Sequence, residues 1–331
     1  KDIVVKHHAM AGFHTKYLPG WDCHGLPIEL AVERESGKRS QDRDPLEVRR
    51  DCRAFAEKFI DIQRGEFRRL GGFGLWEDPY LTMKPRYEAA IVRGVAAFAD
   101  RGAVYRGRRP VYWCASCRTA LAEAEVEYRD KQSPSIYVAF ACLDPDKFLA
   151  KAGLSPDGSA ANVLIWTTTP WTLPANLGIA LHPDFDYRFF RLRGERVLLA
   201  ERMAGAVAEA LGTELKPEGE RVSGKVFEGL ACRHPFIDRK SAMVLADYVT
   251  LDAGTGCVHT APGHGGEDFV TGQKYGLDAY APVDADGRFT DEVERWAGLS
   301  VWKANEPIVA LLHETGRLAN KPGEKIVHSY P

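Results

Sequence analysis

The sequence predicts an α/β chain in two parts, a helical first part followed by a strand-rich α+β second part. Three observations support this prediction. The length of 331 residues fits about two domains at roughly 100–200 residues each. Apolar residues recur every three or four positions across much of 45–101, which is typical of amphipathic helices. From about residue 131, short β-rich runs alternate with Gly, Pro and Asp.

Two helices are predicted in the first part, at about 45–70 and 85–101. Asp44 has the side chain of an N-cap, and Pro45 suits the first helical position. Gly102 directly follows the second helix, as expected for a C-terminal stop. The first part therefore contributes long helices rather than a sheet.

The second part is predicted to be rich in antiparallel strands, with helices at about 200–211 and 305–315. The predicted strands lie at 136–140, 163–167, 177–181, 187–192, 197–199 and 243–246. Residues 131–134, with the sequence Lys-Gln-Ser-Pro, are the predicted linker between the two parts.

The composition is that of an ordinary globular protein, with 45% hydrophobic and 27% charged residues and a formal net charge of −2. No apolar run approaches the roughly 18 residues that a membrane helix needs, so we expect no membrane association. The seven cysteines lack the spacing of a disulfide framework. We therefore expect a reduced, cytoplasmic protein.

The first motif that suggests chemistry is the loop at 19–29, with the sequence Pro-Gly-Trp-Asp-Cys-His-Gly-Leu-Pro-Ile-Glu. Its Asp22 is a candidate partner for the ammonium group of a ligand, through a charge-assisted hydrogen bond. A capped turn without a ligand explains the same residues equally well.

The second motif, at 166–176, reads Trp-Thr-Thr-Thr-Pro-Trp-Thr-Leu-Pro-Ala-Asn and places four threonines within six positions. Its two prolines prevent a regular helix or strand ladder, so hydroxyl and backbone N–H groups are available for a ribose, a carbonyl or an oxyanion. The alternative is a threonine-rich strand with no ligand.

The third motif, at 254–269, is glycine-rich and carries His259, His264 and Asp268. These three residues are candidate metal ligands, but their spacing matches no standard zinc signature, so a substrate pocket is the favoured interpretation.

A fourth motif, Cys114-Ala-Ser-Cys117, supplies two thiolates. Because structural zinc requires four ligands, this pair is half a site or a free pair of thiols.

In this order along the chain, the motifs resemble those of isoleucyl-tRNA synthetases. The resemblance includes the segment Ala120–Tyr128, Ala-Leu-Ala-Glu-Ala-Glu-Val-Glu-Tyr, and covers essentially the whole sequence. Valyl and leucyl relatives carry a Thr-Thr-Arg-Pro version of the second motif, whereas this chain has Thr-Thr-Thr-Pro at 167–170.

The resemblance implies a class I synthetase: a Rossmann-type catalytic domain interrupted by an editing domain called connective peptide 1. Residues 1–130 would be part of the catalytic domain, 131–318 the editing domain, and 319–331 a segment returning toward the catalytic domain. The His-x-Gly-His and Lys-Met-Ser-Lys-Ser motifs of the family are absent, and the segment 239–243 is only superficially similar to the second of them. The sequence starts at Lys1 and stops at Pro331, so we expect an internal fragment.

The resemblance also implies roles for individual residues. Asp268 would bind the α-ammonium of a mischarged amino acid, and His259 would help to exclude isoleucine. Asp22 would bind the ammonium of isoleucine in the synthetic half. The threonine-rich segment would surround the terminal ribose and the ester, through Thr167, Thr168 and Thr169, with support from Trp171, Thr172 and Asn176.

The implied reaction is post-transfer editing, in which water hydrolyses valyl-tRNA(Ile). The general base is not identified. The implied partners are tRNA(Ile), isoleucine and valine, and we expect a monomer. ATP and Mg²⁺ would serve only the full-length enzyme, and zinc at Cys114 and Cys117 would need further ligands outside this sequence. Two alternatives remain: a fragment that binds tRNA or amino acid without catalysis, and a metal-dependent hydrolase built on His259, His264 and Asp268.

Overall fold

The computed structural model describes residues 1–330, and the chain divides into two compact units. The first unit is Lys1–Gly107, and the second begins at Arg108. Within residues 1–330, no helix combines the length and the apolar content that crossing a membrane requires.

The first unit consists mainly of helices, with one pair of short parallel strands. Its elements are α1 (Asp2–Met10), β1 (Gly20–Trp21), α2 (Leu26–Ser36), α3 (Pro45–Arg69), β2 (Tyr80–Leu81) and α4 (Pro85–Asp100). Strands β1 and β2 pair in parallel. The two helices expected from periodicity are present within a residue of their predicted ends.

Local sequence explains where helix α3 begins. The side chain of Asp44 accepts a hydrogen bond from the backbone N–H of Leu46 at 3.1 Å, and Pro45 occupies the first helical position. The helix nevertheless buries only Ala56 and Ile60, and α4 buries no residue. The apolar stripes that predict these helices are therefore largely uncovered in this unit.

The second unit contains most of the strands. In chain order, the strands are β3 (Trp113–Cys114), β4 (Thr119–Ala120), β5 (Arg129–Pro134), β6 (Ile136–Cys142), β7 (Ala161–Thr167), β8 (Gly178–Leu181), β9 (Asp186–Leu192), β10 (Glu195–Ala200), β11 (Lys216–Ser223), β12 (Ala231–Arg233), β13 (Lys240–Leu245), β14 (Cys257–Thr260) and β15 (Lys325–Tyr330). The helices are α5 (Pro145–Lys151), α6 (Ala204–Leu211), α7 (Gly266–Tyr275) and α8 (Val301–Glu314).

Nine of these strands form one mixed sheet, in the order β11-β9-β10-β7-β6-β12-β13-β8-β14. All six strands predicted from sequence lie in this sheet. It packs around a large apolar core in which Phe140, Phe148, Tyr187, Phe189 and Phe227 are completely buried. The prediction of a strand-rich α+β part beside a helical one is confirmed.

The region between the two predicted parts differs from the expectation. Residues 129–134 form strand β5, which pairs antiparallel with β15, so the segment predicted as a linker is part of a ribbon. The division between compact units falls at Gly107 rather than near residue 130. The backbone hydrogen bonds of β5 come from residues almost 200 positions later, which local sequence does not reveal.

Candidate functional site

The threonine-rich motif follows directly from the sheet. Strand β7 ends at Thr167, and after Thr168 and Thr169 the chain forms a short 3₁₀ helix, Pro170–Ala175. Oγ1 of Thr169 lies 3.4 Å from Oγ1 of Thr167 and 3.4 Å from Oγ1 of Thr172. We call residues 167–176 the threonine loop. It brings three of the predicted hydroxyl groups into one cluster.

Thr168 differs from the other threonines of this loop. Its side chain is half-buried, whereas those of Thr167 and Thr172 are buried. Within residues 1–330, its hydroxyl group has no hydrogen-bond partner. Thr168 therefore combines partial exposure with a free hydroxyl.

The glycine-rich motif forms a second wall of the site and contacts the threonine loop through His259 and His264. Strand β14 ends at Thr260, a turn occupies 261–265, and helix α7 begins at Gly266. Gly263 is required for this turn, because a Cβ there would overlap the carbonyl oxygen of Tyr280. We call residues 261–268 the glycine turn.

His259, on β14, connects the two walls. Its Nε2 lies 2.9 Å from Oγ1 of Thr172, and its Nδ1 lies 2.8 Å from Nδ2 of Asn176. Burial lowers its pKa to about 4, so the ring is neutral at pH 7. Because both ring nitrogens have protein partners, His259 is a rigid part of the site wall.

Asp268 lies in the first turn of α7 and is half-buried. Its Oδ2 accepts a hydrogen bond from the N–H of Ala261, and its Oδ1 accepts one from the hydroxyl of Tyr248, both at 2.8 Å. Burial raises the pKa of this carboxyl group, although these two hydrogen bonds oppose the rise. No lysine or arginine within the described residues forms an ion pair with Asp268, so a cationic ligand would find this carboxylate without a competitor.

His264 brings the glycine turn into contact with the threonine loop. Its ring packs edge-on against that of Trp171, with ring centroids 5.0 Å apart. Burial, followed by repulsion between the protonated forms of His264 and His259, lowers the pKa of His264 to about 4, although Asp268 opposes this change. Trp171, His264 and Asp268 are all half-buried, as are Thr168 and Thr169 of the threonine loop.

Three side chains from distant segments hold the backbone of the threonine loop. Nε2 of His234 donates to the carbonyl of Leu173 at 2.8 Å, because its Nδ1 already accepts two backbone N–H groups. Arg239 donates to the carbonyl of Pro174. Asn305, on α8, accepts the N–H of Trp171 at 3.0 Å.

Sequence inspection missed these three residues, together with Tyr248. No local pattern marks them, since each acts through a single hydrogen bond to a segment 20 to 134 positions away. Arg239 and Ser241 lie in the segment with superficial similarity to a nucleotide-binding loop. In the structure, this segment begins strand β13 beside the threonine loop.

Asp22, the predicted ligand-binding residue of the first unit, is exposed and accepts a hydrogen bond from the hydroxyl of Thr82 at 3.3 Å. The adjacent Cys23 is buried and borders a cavity of about 350 Å³ that is also lined by His24, Glu29 and Arg53. The structure therefore places Asp22 in a different unit from the threonine loop and the glycine turn.

The cysteine motif forms a tight hairpin of β3 and β4, in which Sγ of Cys114 accepts the N–H of Cys117 at 3.4 Å. Burial raises the pKa of Cys114, but N–H donors from Cys117 and Ser116 outweigh this effect, and the net change is a decrease. Such donors favour a thiolate, so the pair fits half of a zinc site.

The alternative of a metal-dependent hydrolase finds no support in this geometry. Among residues 1–330, no three His, Cys, Asp or Glu side chains are arranged to hold a metal ion. Of the three candidate ligands, His259 has both ring nitrogens in hydrogen bonds and so has no free nitrogen for a metal.

The two units and the four motifs together define a synthetase of class I. The family model described as tRNA synthetases class I (I, L, M and V) matches residues 1–304, and the chain belongs to this family. The chain is 50% identical over 331 residues to the isoleucine–tRNA ligase of Nitratidesulfovibrio vulgaris strain DP4, covering 100% of this chain and 35% of that protein. It is 46% identical to the corresponding ligase of Petrotoga mobilis, of which it covers 34%. The resemblance to isoleucyl-tRNA synthetases is confirmed, and the chain spans about a third of the length of these relatives.

Solved structures of editing domains are also similar to this chain. One of them is the editing domain of the cytosolic leucyl-tRNA synthetase of P. falciparum, at 8% identity and a TM-score of 0.42. The match covers 60% of this chain and 100% of that structure.

Proposed function

We propose that this chain is part of an isoleucine–tRNA ligase and that its second unit hydrolyses the ester bond of valyl-tRNA(Ile). The observation that carries this proposal is the half-buried carboxylate of Asp268, which has no lysine or arginine partner among the described residues. It lies on the glycine turn, whose His264 packs against Trp171 of the threonine loop. A free α-ammonium group and an adjacent ester are the features that distinguish the end of an aminoacyl-tRNA.

Asp268 is the proposed binding site for the α-ammonium group. Burial alone disfavours its charge, and a bound ammonium would compensate by a charge-assisted hydrogen bond. Tyr248 and the N–H of Ala261 use one lone pair on each carboxylate oxygen and leave others for the ligand. Both donors also fix the orientation of the carboxylate before the ligand arrives.

The threonine loop is the proposed binding site for the terminal ribose and the ester. Thr168 offers a hydroxyl without a protein partner, and Thr167 and Thr169 lie on either side of it in the chain. Thr172 and Asn176 hold the loop from the buried side, through His259. Trp171 closes one edge of the site by packing against His264.

His259 is the proposed selectivity element. An apolar pocket distinguishes amino acids that differ by one methylene by only about 10–200-fold, and isoleucyl-tRNA synthetases are a standard example of this limit. A second site that accepts valine and rejects the larger isoleucine removes the error. A ring fixed by two hydrogen bonds cannot yield easily to an extra methyl group, because close-packed surroundings resist added volume.

The proposed reaction is direct attack by water on the ester carbonyl. No serine or cysteine stands beside a base in the site, so a covalent intermediate has no candidate nucleophile. The oxygen of water bonds to the carbonyl carbon, the bond to the ribose oxygen breaks, and that oxygen takes up a proton. Asp268 and the threonine loop contribute by orienting the ester and by stabilising its developing charge.

The activity of the whole ligase would be ATP-dependent charging of tRNA(Ile) with isoleucine, and Asp22 would bind the ammonium of isoleucine there. ATP and Mg²⁺ would be used by that complete enzyme. Its partners would be tRNA(Ile), isoleucine and valine, and it would act in the cytoplasm as a monomer. Cys114 and Cys117 would supply two of four zinc ligands, with a structural role. For this chain alone we propose editing at most.

The selectivity of hydrolysis tests the proposal. We expect the chain to release valine from valyl-tRNA(Ile) and to leave isoleucyl-tRNA(Ile) close to its spontaneous rate of hydrolysis, with the heat-unfolded chain as the control. Equal hydrolysis of both substrates would contradict the role of His259. Binding of tRNA without hydrolysis of either would favour the non-catalytic alternative.

A further inference from the structure

A continuous series of buried hydrogen bonds runs from strand β13 to the threonine loop. The hydroxyl of Ser241 donates to Oδ1 of Asn176, and Nδ2 of Asn176 lies 2.8 Å from Nδ1 of His259. Nε2 of His259 then contacts Thr172, whose Oγ1 lies 2.9 Å from the carbonyl oxygen of Thr169. Ser241 and Asn176 are completely buried, so water does not compete for these groups.

The direction of the protons in this series follows from the contact between Asn176 and the carbonyl oxygen of Gly178. Nδ2 of Asn176 also lies 2.8 Å from the carbonyl oxygen of Gly178, which can only accept, so the NH₂ side of the amide must face it. That same NH₂ group faces Nδ1 of His259, which therefore accepts. The ring proton must then be on Nε2.

At the other end, the carbonyl oxygen of Thr169 can only accept a hydrogen bond. Because Nε2 of His259 carries the ring proton, the hydroxyl of Thr172 accepts from Nε2–H and donates to the carbonyl oxygen of Thr169, which also accepts the backbone N–H of Thr172. The Asn176 end therefore sets the tautomer of His259, and the contacts of Thr172 agree with it. Reversal of the ring proton would place two donors face to face at Asn176 and would draw the hydroxyl of Thr172 away from Thr169.

Ser241 completes this arrangement because its hydroxyl is the donor recorded for Oδ1 of Asn176. Without it, a buried amide oxygen loses its partner, which is unfavourable, and the carbonyl oxygen of Gly178 is left as the main contact that opposes rotation of the amide. Rotation of the amide moves Nδ2 away from Nδ1 of His259. The ring then loses the contact that selects its tautomer.

We propose that Ser241 is a positioning residue that fixes the Nε2–H tautomer of His259, and through it the conformation of the threonine loop. The inference deepens the proposed function, since it rests on the threonine loop as the binding site for the ester. Ser241 does not touch the substrate and acts through Asn176 and His259.

The tautomer of His259 is directly measurable in the intact chain by NMR with ¹⁵N-labelled histidine, because only the protonated ring nitrogen shows a one-bond coupling to hydrogen. We expect Nε2–H alone in the unsubstituted chain. Detection of Nδ1–H there would overturn the proposal without any variant.

Two variants test the role of Ser241. Ser241→Ala removes the hydroxyl, and Ser241→Cys keeps nearly the same volume with a weaker donor, so it preserves the packing of β13. We expect mixed tautomers and about a tenfold lower kcat for valyl-tRNA hydrolysis in Ser241→Ala, with KM within about twofold, and intermediate values in Ser241→Cys. Ser133→Ala, at a buried serine of β5, is the matched control and should match the unsubstituted chain.

The outcomes separate the two proposals. Pure Nε2–H tautomer and unchanged kcat in Ser241→Ala would overturn the assignment of Ser241, and so would mixed tautomers with unchanged kcat. A chain that shows the expected tautomers but does not hydrolyse valyl-tRNA would contradict the proposed function and leave the structural role of Ser241 intact.

Discussion

The two units of this chain bury their apolar residues to different degrees. The second unit surrounds a nine-stranded sheet with a large core, whereas the buried apolar residues of the first unit are Cys23, Val32, Ala56, Ile60, Trp76 and Met83. Phe98 on α4 is 61% exposed, and Phe140 on β6 is 0% exposed. The difference shows that an amphipathic stripe predicts a helix but not what covers it.

The difference also affects how each unit holds its candidate site. In the second unit, side chains from β13, β14 and α8 hold the threonine loop, and Asp268 is oriented by two donors. In the first unit, Asp22 is exposed and accepts one hydrogen bond of 3.3 Å. The side chains of the site in the second unit are therefore preorganised by the surrounding structure before a ligand binds.

The largest expected effect is on stability, from removal of a phenylalanine ring. Phe140→Ala should lower the free energy of unfolding of the second unit by about 3–5 kcal/mol, since it leaves a cavity in close-packed surroundings. Phe98→Ala should change the first unit by less than about 0.5 kcal/mol, because its ring is mostly in water. Urea unfolding, monitored by hydrogen exchange of peptides from each unit, measures both changes in the free energy of unfolding. Similar losses of stability in the two variants would contradict the difference in burial between the units.

The second expected effect is acid sensitivity of the second unit. Burial lowers the pKa of His234 to about 3 and those of His259 and His264 to about 4. Between these values and the ordinary 6.5, the unfolded chain binds protons that the folded chain does not, so stability falls as pH falls. Each histidine should cost about 1–2 kcal/mol between pH 7 and pH 5.

The raised pKa of Asp268 acts in the opposite direction, since the folded chain then binds a proton more readily than the unfolded one. Because three histidines destabilise the fold at low pH and one aspartate stabilises it, the net effect of lowering the pH remains a loss of stability. Hydrogen exchange of core peptides from the second unit at pH 7, 6 and 5 checks this prediction. If the protection of these peptides against exchange stayed constant from pH 7 to pH 5, the folded and unfolded chains would bind the same number of protons. The histidines would then be protonated in the folded state.

The smallest expected effect concerns ion pairs. Glu218 accepts hydrogen bonds from both Arg191 and Arg196, and the side chain of Arg196 is only 7% exposed. Glu218→Gln should destabilise the second unit by about 1 kcal/mol. Glu77→Gln removes an exposed ion pair with Arg68 in the first unit. It should destabilise that unit by at most about 0.3 kcal/mol. Equal shifts in the urea midpoints would contradict the difference in burial.

Local sequence was sufficient to predict most of the helices and strands. Helix α3 carries its own start signal in Asp44 and Pro45, and the strands of the large sheet carry β-branched and aromatic runs. The motifs that contain Thr167, His259 and Asp268 were also visible, because unusual combinations of Thr, Gly, Pro and His are concentrated in short segments.

The residues that hold the threonine loop in place could not be predicted from local sequence. His234, Arg239, Ser241 and Asn305 each reach the threonine loop through one hydrogen bond formed only when distant strands and helices meet. Strand β5 escaped detection for the same reason, since its partner β15 is at the other end of the second unit. Sequence motifs identify groups that contact a ligand more readily than groups that hold them.

The rate of valyl-tRNA(Ile) hydrolysis by two matched variants tests the central claim most directly. Asp268→Ala removes the carboxylate proposed to bind the α-ammonium group, and we expect the rate to fall about 100-fold, equivalent to roughly 3 kcal/mol. Asp22→Ala removes the corresponding carboxylate of the first unit and should leave the rate unchanged. An unchanged rate in Asp268→Ala, or a loss of hydrolysis in Asp22→Ala, would contradict the assignment of the reaction to the second unit.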